Sequence, residues 1–382
     1  MADDDGFNPL EGVGLMVKLA VRILQGPMRY ERLPPGTSRS EKVAALRPIE
    51  RAAIFRSALY GVFAGGIVVL TAWLLIPYEP AAGEPWQAYV PVFVFLLLAG
   101  VFATVLEMML IYYDTMRSSR AVAARLGISP NNLHDDSTEA ALVLSLIQAG
   151  IEAPNPRGPR YGIDPRIYIP QWRLVSASVF YKLKVTATRI VARALWRRFL
   201  FRMLGRSAGR ASIEAVAIPV FAIWNVIVVR SVMREVRVRA LGKEAVDELE
   251  SYLFPRGFAA LPEDVRLACL RAVRSQVTLV ADFHPNVSMM LDRMIAAHGS
   301  EMVEQEQPEC LLTASVHDLP ADARQTVLLT FAATCALDGR IRRKHRRKFK
   351  QLLEITKRPD LAGSLNVFRD YVRDGAPLES HV

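Results

Sequence analysis

The 382-residue chain is poor in cysteine: it has three, none in a CxxC pair and none at a Cys/His metal spacing. Cys269, Cys310 and Cys335 therefore exclude a disulfide scaffold and a zinc module, and they predict free, buried thiols in a reducing compartment. Catalytic signatures are missing too. There is no GxSxG or HExxH, the Gly205 to Gly209 loop lacks the lysine of a phosphate loop, and Gly242-Lys243 is followed by Glu rather than Ser or Thr. His134-Asp135 and His317-Asp318 lack the further ligands of a metal-dependent phosphohydrolase, and both aspartates are expected to cap the helices that follow. The sequence nominates no catalytic residue, no cofactor and no metal. Acid is scarce against base, with 38 Asp and Glu facing 48 Lys and Arg for a net charge of +10.

Long uncharged runs are what the chain does have. Apolar residues make up 51% of it, more than a typical soluble domain carries. Ser57 to Ile76 contains no charge over twenty residues, and Ala88 to Leu106 none over nineteen. At 1.5 Å per residue each run covers about 30 Å, the thickness of a bilayer's hydrocarbon. Two transmembrane helices forming a hairpin are the expectation, the second continuing as helix through Glu107 to Tyr113. The first follows more than fifty residues of mixed composition, unlike a cleaved signal peptide, and is expected to stay in the mature chain.

The flanks orient the hairpin. Arg39, Lys42, Arg47, Arg51 and Arg56 precede the first run and Arg117, Arg120 and Arg125 follow the second, while Pro77 to Gln87 carries Glu79 and Glu84 but no Lys or Arg. The positive-inside rule places both termini in the cytoplasm and the short loop outside. Trp73, Tyr78, Trp86 and Tyr89 at one end, and Tyr112 and Tyr113 at the other, suit the two interfaces. Gly61 and Gly65 form a GxxxG pair expected to let the second helix, or alternatively another subunit, approach closely. Glu107 is the acid nearest the second run. It is expected near the inner interface within reach of water or Arg56, with a polar role inside the membrane as the alternative.

Beyond the hairpin the pattern is helical. Asp136 and Glu139 have capping-box spacing ahead of a helix that ends at Gly150. Ten Lys or Arg and no acid lie between Arg173 and Arg210, among them Arg189, Arg193, Arg197, Arg198, Arg202 and Arg206 beside Trp196, Phe199, Phe201 and Met203. In a tethered chain such a segment suits the anionic inner leaflet; a solvated charged face comes second and nucleic acid third. Ala215 to Val229 is a third apolar run. With Pro219 and Asn225 inside it, it is short for a span and reads as a buried or re-entrant helix. From Leu261 on, apolar residues recur at about the helical period with no alternating segment: Pro262 to Leu279, Val287 to His298, Ala321 to Leu337, Lys344 to Ile355 and Leu361 to Val372. The fold class is all-α, a two-helix transmembrane hairpin with a cytoplasmic helical body and a C-terminal helical bundle. The expected divisions are residues 1–52, 53–116, 117–256 and 257–382.

Within the last of these, Thr334 to Glu354 reads TCALDGRIRRKHRRKFKQLLE. An alanine-rich helix closing on Asp338-Gly339, with Ile341 two positions on and a further helix after it, resembles the repeated motif of the tellurite-resistance TerB-like family. Leu279 to Met294 is a fainter echo, Ala281-Asp282 standing where Leu337-Asp338 stand. The resemblance implies an all-helical fold over Leu261 to Val372 and a role in membrane-linked stress or defence. The family's pattern usually has an acid seven positions after the Asp, where this chain has His345. With Arg340, Arg342, Arg343, Lys344, Arg346, Arg347 and Lys348 around Asp338, the family's divalent-metal chemistry is not expected here. Asp338-Gly339 reads instead as a helix end with glycine supplying the left-handed turn. The expected setting is a bacterial inner membrane. The expected partners are membrane lipid, other proteins and, as an option, further copies of the chain.

Overall fold

A computed structural model describes residues 22–24, 31–78, 80, 84–128, 138–150, 217–280, 282–298 and 308–378. The Arg189 to Arg206 segment, Asp136 and His134-Asp135 lie outside the described residues. What is described is helical, with no strand among the described residues. The chain divides into two compact units, each taken over its described residues. One draws on Pro48–Ser118 and Gln171–Met233 and is called the apolar unit; the other draws on Met1–Arg47, Ser119–Pro170 and Arg234–Val382 and is called the core unit.

The two uncharged runs lie in two 37-residue helices, α1 (Arg39–Leu75) and α2 (Val90–Leu126), separated by short 3-10 turns at Ile76–Tyr78 and Trp86–Tyr89. Both are longer than the apolar runs that predict them, because Arg47, Arg51 and Arg56 form helix as readily as leucine does. Hydropathy marks a hydrocarbon thickness, not a helix end. Both helices are long and apolar enough to cross a membrane, and only 17% and 11% of their most apolar stretches is buried. Phe63, Leu70 and Trp73 on α1, and Phe93, Phe95, Leu98 and Phe102 on α2, stand exposed. Ala64 and Val68 of α1 meet Ala103 of α2. After α3 (Thr138–Gly150), α4 (Ala217–Ala240) begins in the third apolar run and continues as one helix into the charged stretch that follows.

The core unit has the opposite distribution. Its helices are α3 together with α5 (Gly242–Leu253), α6 (Glu263–Val280), α7 (Pro285–His298), α8 (Pro308–Asp318), α9 (Ala321–Ala336), α10 (Arg343–Thr356) and α11 (Ser364–Asp374). Every residue of α9 from Val327 to Ala336 is buried, as expected of a central helix that packs on α6, α10 and α11. Phe331 stacks on Phe349 with ring centroids 6.2 Å apart, and Tyr252 meets Phe368 edge-on at 6.0 Å. In α10 the basic residues Arg343, Lys344, Arg346, Arg347 and Lys350 face solvent, while His345, Phe349, Leu352 and Leu353 turn inward. Cys269 and Cys335 are free and buried, and burial pushes the Cys269 thiol up to about 12.

The N-terminus of α1 is held in the core unit. The buried Arg39 guanidinium donates to the carbonyls of Leu241 (3.0 Å), Tyr371 (3.2 Å) and Val372 (3.0 Å) and lies 4.9 Å from the Tyr371 ring centroid. Two of these carbonyls belong to the last turn of α11, the end of a helix that attracts a cation. Lys42 adds an ion pair to Glu244 at 2.8 Å.

One helix and one cap differ from expectation. α8 is absent from the periodicity reading because its inward stripe is short, Leu312 and Val316 one turn apart. His317-Asp318 closes α8 instead of capping α9, whose N-cap is Pro320 with no side-chain bond.

Candidate functional site

Among the described residues, two clusters of buried polar side chains stand out, one in each unit. In the apolar unit, Glu107 is 1% exposed and its Oε1 accepts a 2.6 Å hydrogen bond from Asn225 Nδ2. The same amide donates to the Ser57 carbonyl at 3.2 Å. Asn225 thus joins α4 to both α1 and α2. Nearby, Arg56 donates to Asp114 at 2.8 Å and to Ser118 at 3.2 Å.

These contacts revise the expectations for this region. The group bonded to Arg56 is Asp114, which the sequence reading passed over. Glu107 lies seven residues earlier in α2, about 10 Å closer to the apolar run, and is enclosed rather than facing water at an interface. The Gly61-Gly65 pair meets α4 rather than α2. A Cβ on Gly61 would lie 2.8 Å from the Ala222 nitrogen, and one on Gly65 would lie 2.9 Å from an Ile218 side-chain carbon. The α1 to α2 contact runs instead through Ala64, Val68 and Ala103.

In the core unit the Asp338 turn and its fainter echo meet the charged half of α4. Leu337 ends α9, Gly339 takes a left-handed φ of 67°, and the Gly339 amide bonds to the Ala336 carbonyl at 2.7 Å. One Asp338 oxygen accepts the Arg340 amide at 2.8 Å and the other meets Arg342 at 3.5 Å. Asn286, from the echo, donates to the carbonyls of Leu337 (3.0 Å) and Val238 (3.1 Å). His284 Nε2 lies 3.0 Å from Glu235, which also bonds Arg239 at 3.1 Å and Arg340 at 3.3 Å.

The electrostatics follow from the packing. Burial pushes Glu235 up, but the His284 hydrogen bond and the charges of His284, Arg239 and Arg340 outweigh it and bring the carboxyl down to about 2. Burial raises Asp338, and His284 and Arg342 oppose it only in part. His345 Nδ1 accepts the Arg342 amide at 3.4 Å, inside the first turn of α10. Its Nε2 has no partner among the described residues, and burial beside Arg342 and Lys344 lowers the ring to about 4. His345 is therefore a neutral core group near pH 7.

The carboxylate oxygens of this cluster are already bonded to arginine side chains or backbone amides. Among the described residues no group of three or more His, Cys, Asp or Glu is placed to hold a metal ion. Sequence reasoning found Asp338, Gly339 and His345 but missed Glu235, His284 and Asn286. The one available signal was the isolated Glu235 in an arginine-rich helix, since a lone acid among bases is a natural centre for ion pairs.

A separate cleft of the core unit, about 480 Å³, is lined by Arg32, Lys42, Lys243, Glu244, Asp247 and apolar groups such as Leu126 and Met289. Its cations and acids nearly balance. No family model, no curated protein and no solved structure matches this chain.

Proposed function

We propose that this chain is a membrane-anchored scaffold, sensor or regulatory protein. In this reading α1 and α2 cross a bacterial inner membrane as a hairpin, both termini lie in the cytoplasm, and the core unit binds protein partners or anionic lipid without catalysing a reaction. The observation that carries it is the exposure of Phe63, Leu70, Trp73, Phe93, Phe95 and Phe102 on helices long enough to span hydrocarbon. Large apolar side chains exposed along two neighbouring helices form a patch far larger than soluble monomers tolerate, and lipid removes that cost. The arginines flanking both apolar runs and the acidic loop between them support the orientation. The TerB-like resemblance of Leu261 to Val372 supports a stress or defence setting by analogy alone. A pore-forming oligomer has less support, since Gly61 and Gly65 are occupied by α4 of the same chain and Glu107 is bonded to Asn225.

One cysteine added at a time to a Cys310→Ala parent, whose Cys269 and Cys335 are buried, tests the reading in intact cells with a membrane-impermeant maleimide. Glu84→Cys should react from outside, and Lys350→Cys only after permeabilisation. The reverse pattern would overturn the orientation. Stepwise ion conductance by the purified chain in planar bilayers would move the reading to the pore.

A further inference from the structure

The third apolar run pairs with the first in a definite register: Ile218 beside Gly65, Ala222 beside Gly61, and Asn225 bonded to the Ser57 carbonyl. As α4 advances, its neighbours on α1 recede, so the two helices run antiparallel. Ser57 is the first residue of the uncharged run, and Gly65 lies about 12 Å further into it. Between Ala217 and Val229 no side chain is ionisable; Asn225 is buried and bonded inward to Glu107, and Trp224 carries the one other polar group, its indole N–H. Ile223 and Ile227 point the other way, 61% and 55% exposed. The first charge is Arg230, which is exposed and falls at the level of the arginines flanking α1.

From this we infer that Ala217 to Val229 is itself inserted in the bilayer, antiparallel to the first span. Its Ile223/Ile227 face meets lipid acyl chains and its described start lies near mid-membrane. The inference rests on the membrane reading of α1 and α2. Small residues let α4 approach α1 closely, and a buried carboxylate-amide contact holds its register, a bond with no water to compete against it in hydrocarbon. The exposed isoleucines continue the apolar surface of the spans, so one lipid phase covers all three. The helix emerges at Arg230 on the side that holds Arg56.

Nitroxide labels at Ile223→Cys and Ile227→Cys, in the Cys310→Ala full-length chain reconstituted in vesicles, test it by collision with oxygen, which concentrates in lipid, and with a nickel chelate, which stays in water. Phe95→Cys serves as the span control and Lys350→Cys as the aqueous control. The inference predicts that both isoleucine positions collide with oxygen about as often as Phe95 and with nickel several-fold less often than Lys350. Nickel access at Lys350 levels, with Phe95 still protected, would overturn it while leaving the spans intact. Low access to both probes would overturn it in favour of a protein cover. Nickel access at Phe95 itself would remove the membrane reading and this inference together.

Discussion

The apolar unit and the core unit obey the same packing physics with inside and outside exchanged. In the core unit Phe331, Phe349 and Phe368 are buried and the basic face of α10 is exposed; in the apolar unit Phe63, Phe95 and Phe102 are exposed and Glu107, Asn225 and Asp114 are buried. On the proposed membrane reading, the difference marks where the solvent changes. Water drives large apolar groups inward. Hydrocarbon supplies no such force, so helices there associate through small residues and enclosed polar contacts, the chemistry that Gly61, Gly65, Glu107 and Asn225 provide.

One truncation made in both units gives the widest separation. Phe331→Ala should cost about 4 kcal/mol through the cavity it leaves in the core. Phe63→Ala, made on an exposed apolar surface, should stay within about 0.5 kcal/mol of the parent. Thermal unfolding in a mild detergent, followed by helical circular dichroism, measures both, and equal losses would break the comparison.

Acid should act on the core unit. An unfolded histidine takes its proton near pH 6.5 and buried His345 near 4, so between these values the unfolded state binds more protons and stability falls as pH falls. The full loss is about 3 kcal/mol. His345→Gln keeps an acceptor for the Arg342 amide without titrating, and its midpoint temperature should decline less between pH 6.5 and 5 than the parent's. Glu235 adds its own loss only below its unfolded value of 4.5, as pH falls toward 2.

A charge placed in the apolar unit should be costly where the same charge in the core unit is tolerated. Phe95→Asp should disfavour insertion by about 3 kcal/mol, whereas Lys350→Asp on exposed α10 should stay within about 0.5 kcal/mol. Membrane-fraction yield reads the first and unfolding reads the second. The smallest effect belongs to Gly61→Ala, whose methyl would meet the Phe221 and Ala222 backbone at 2.8 Å. A loss of about 2 kcal/mol is expected, with Gly66→Ala, which meets nothing within 4 Å, as the neutral control.

The sequence made the all-helical class legible because apolar residues recur at helical spacing, and it made the two long helices legible because a bilayer's thickness can be counted in uncharged residues. Short α8 was overlooked because its buried stripe, Leu312 and Val316, amounts to a single helical repeat. At the candidate sites, Glu107 stood out as an acid in a greasy run, but its partner is 118 positions away and nothing local marks Asn225 as that partner. His284 and Asn286 were equally hidden, since DFHPN reads as an ordinary turn until α4 packs against it. Local chemistry shows in a sequence; which distant groups a fold brings together does not.

The central claim, that α1 and α2 are solvated by lipid, is tested most directly by washing membranes holding the full chain with alkaline carbonate. The account predicts that the chain stays in the pellet and is released only by detergent. Release as a monodisperse soluble protein without detergent would contradict it.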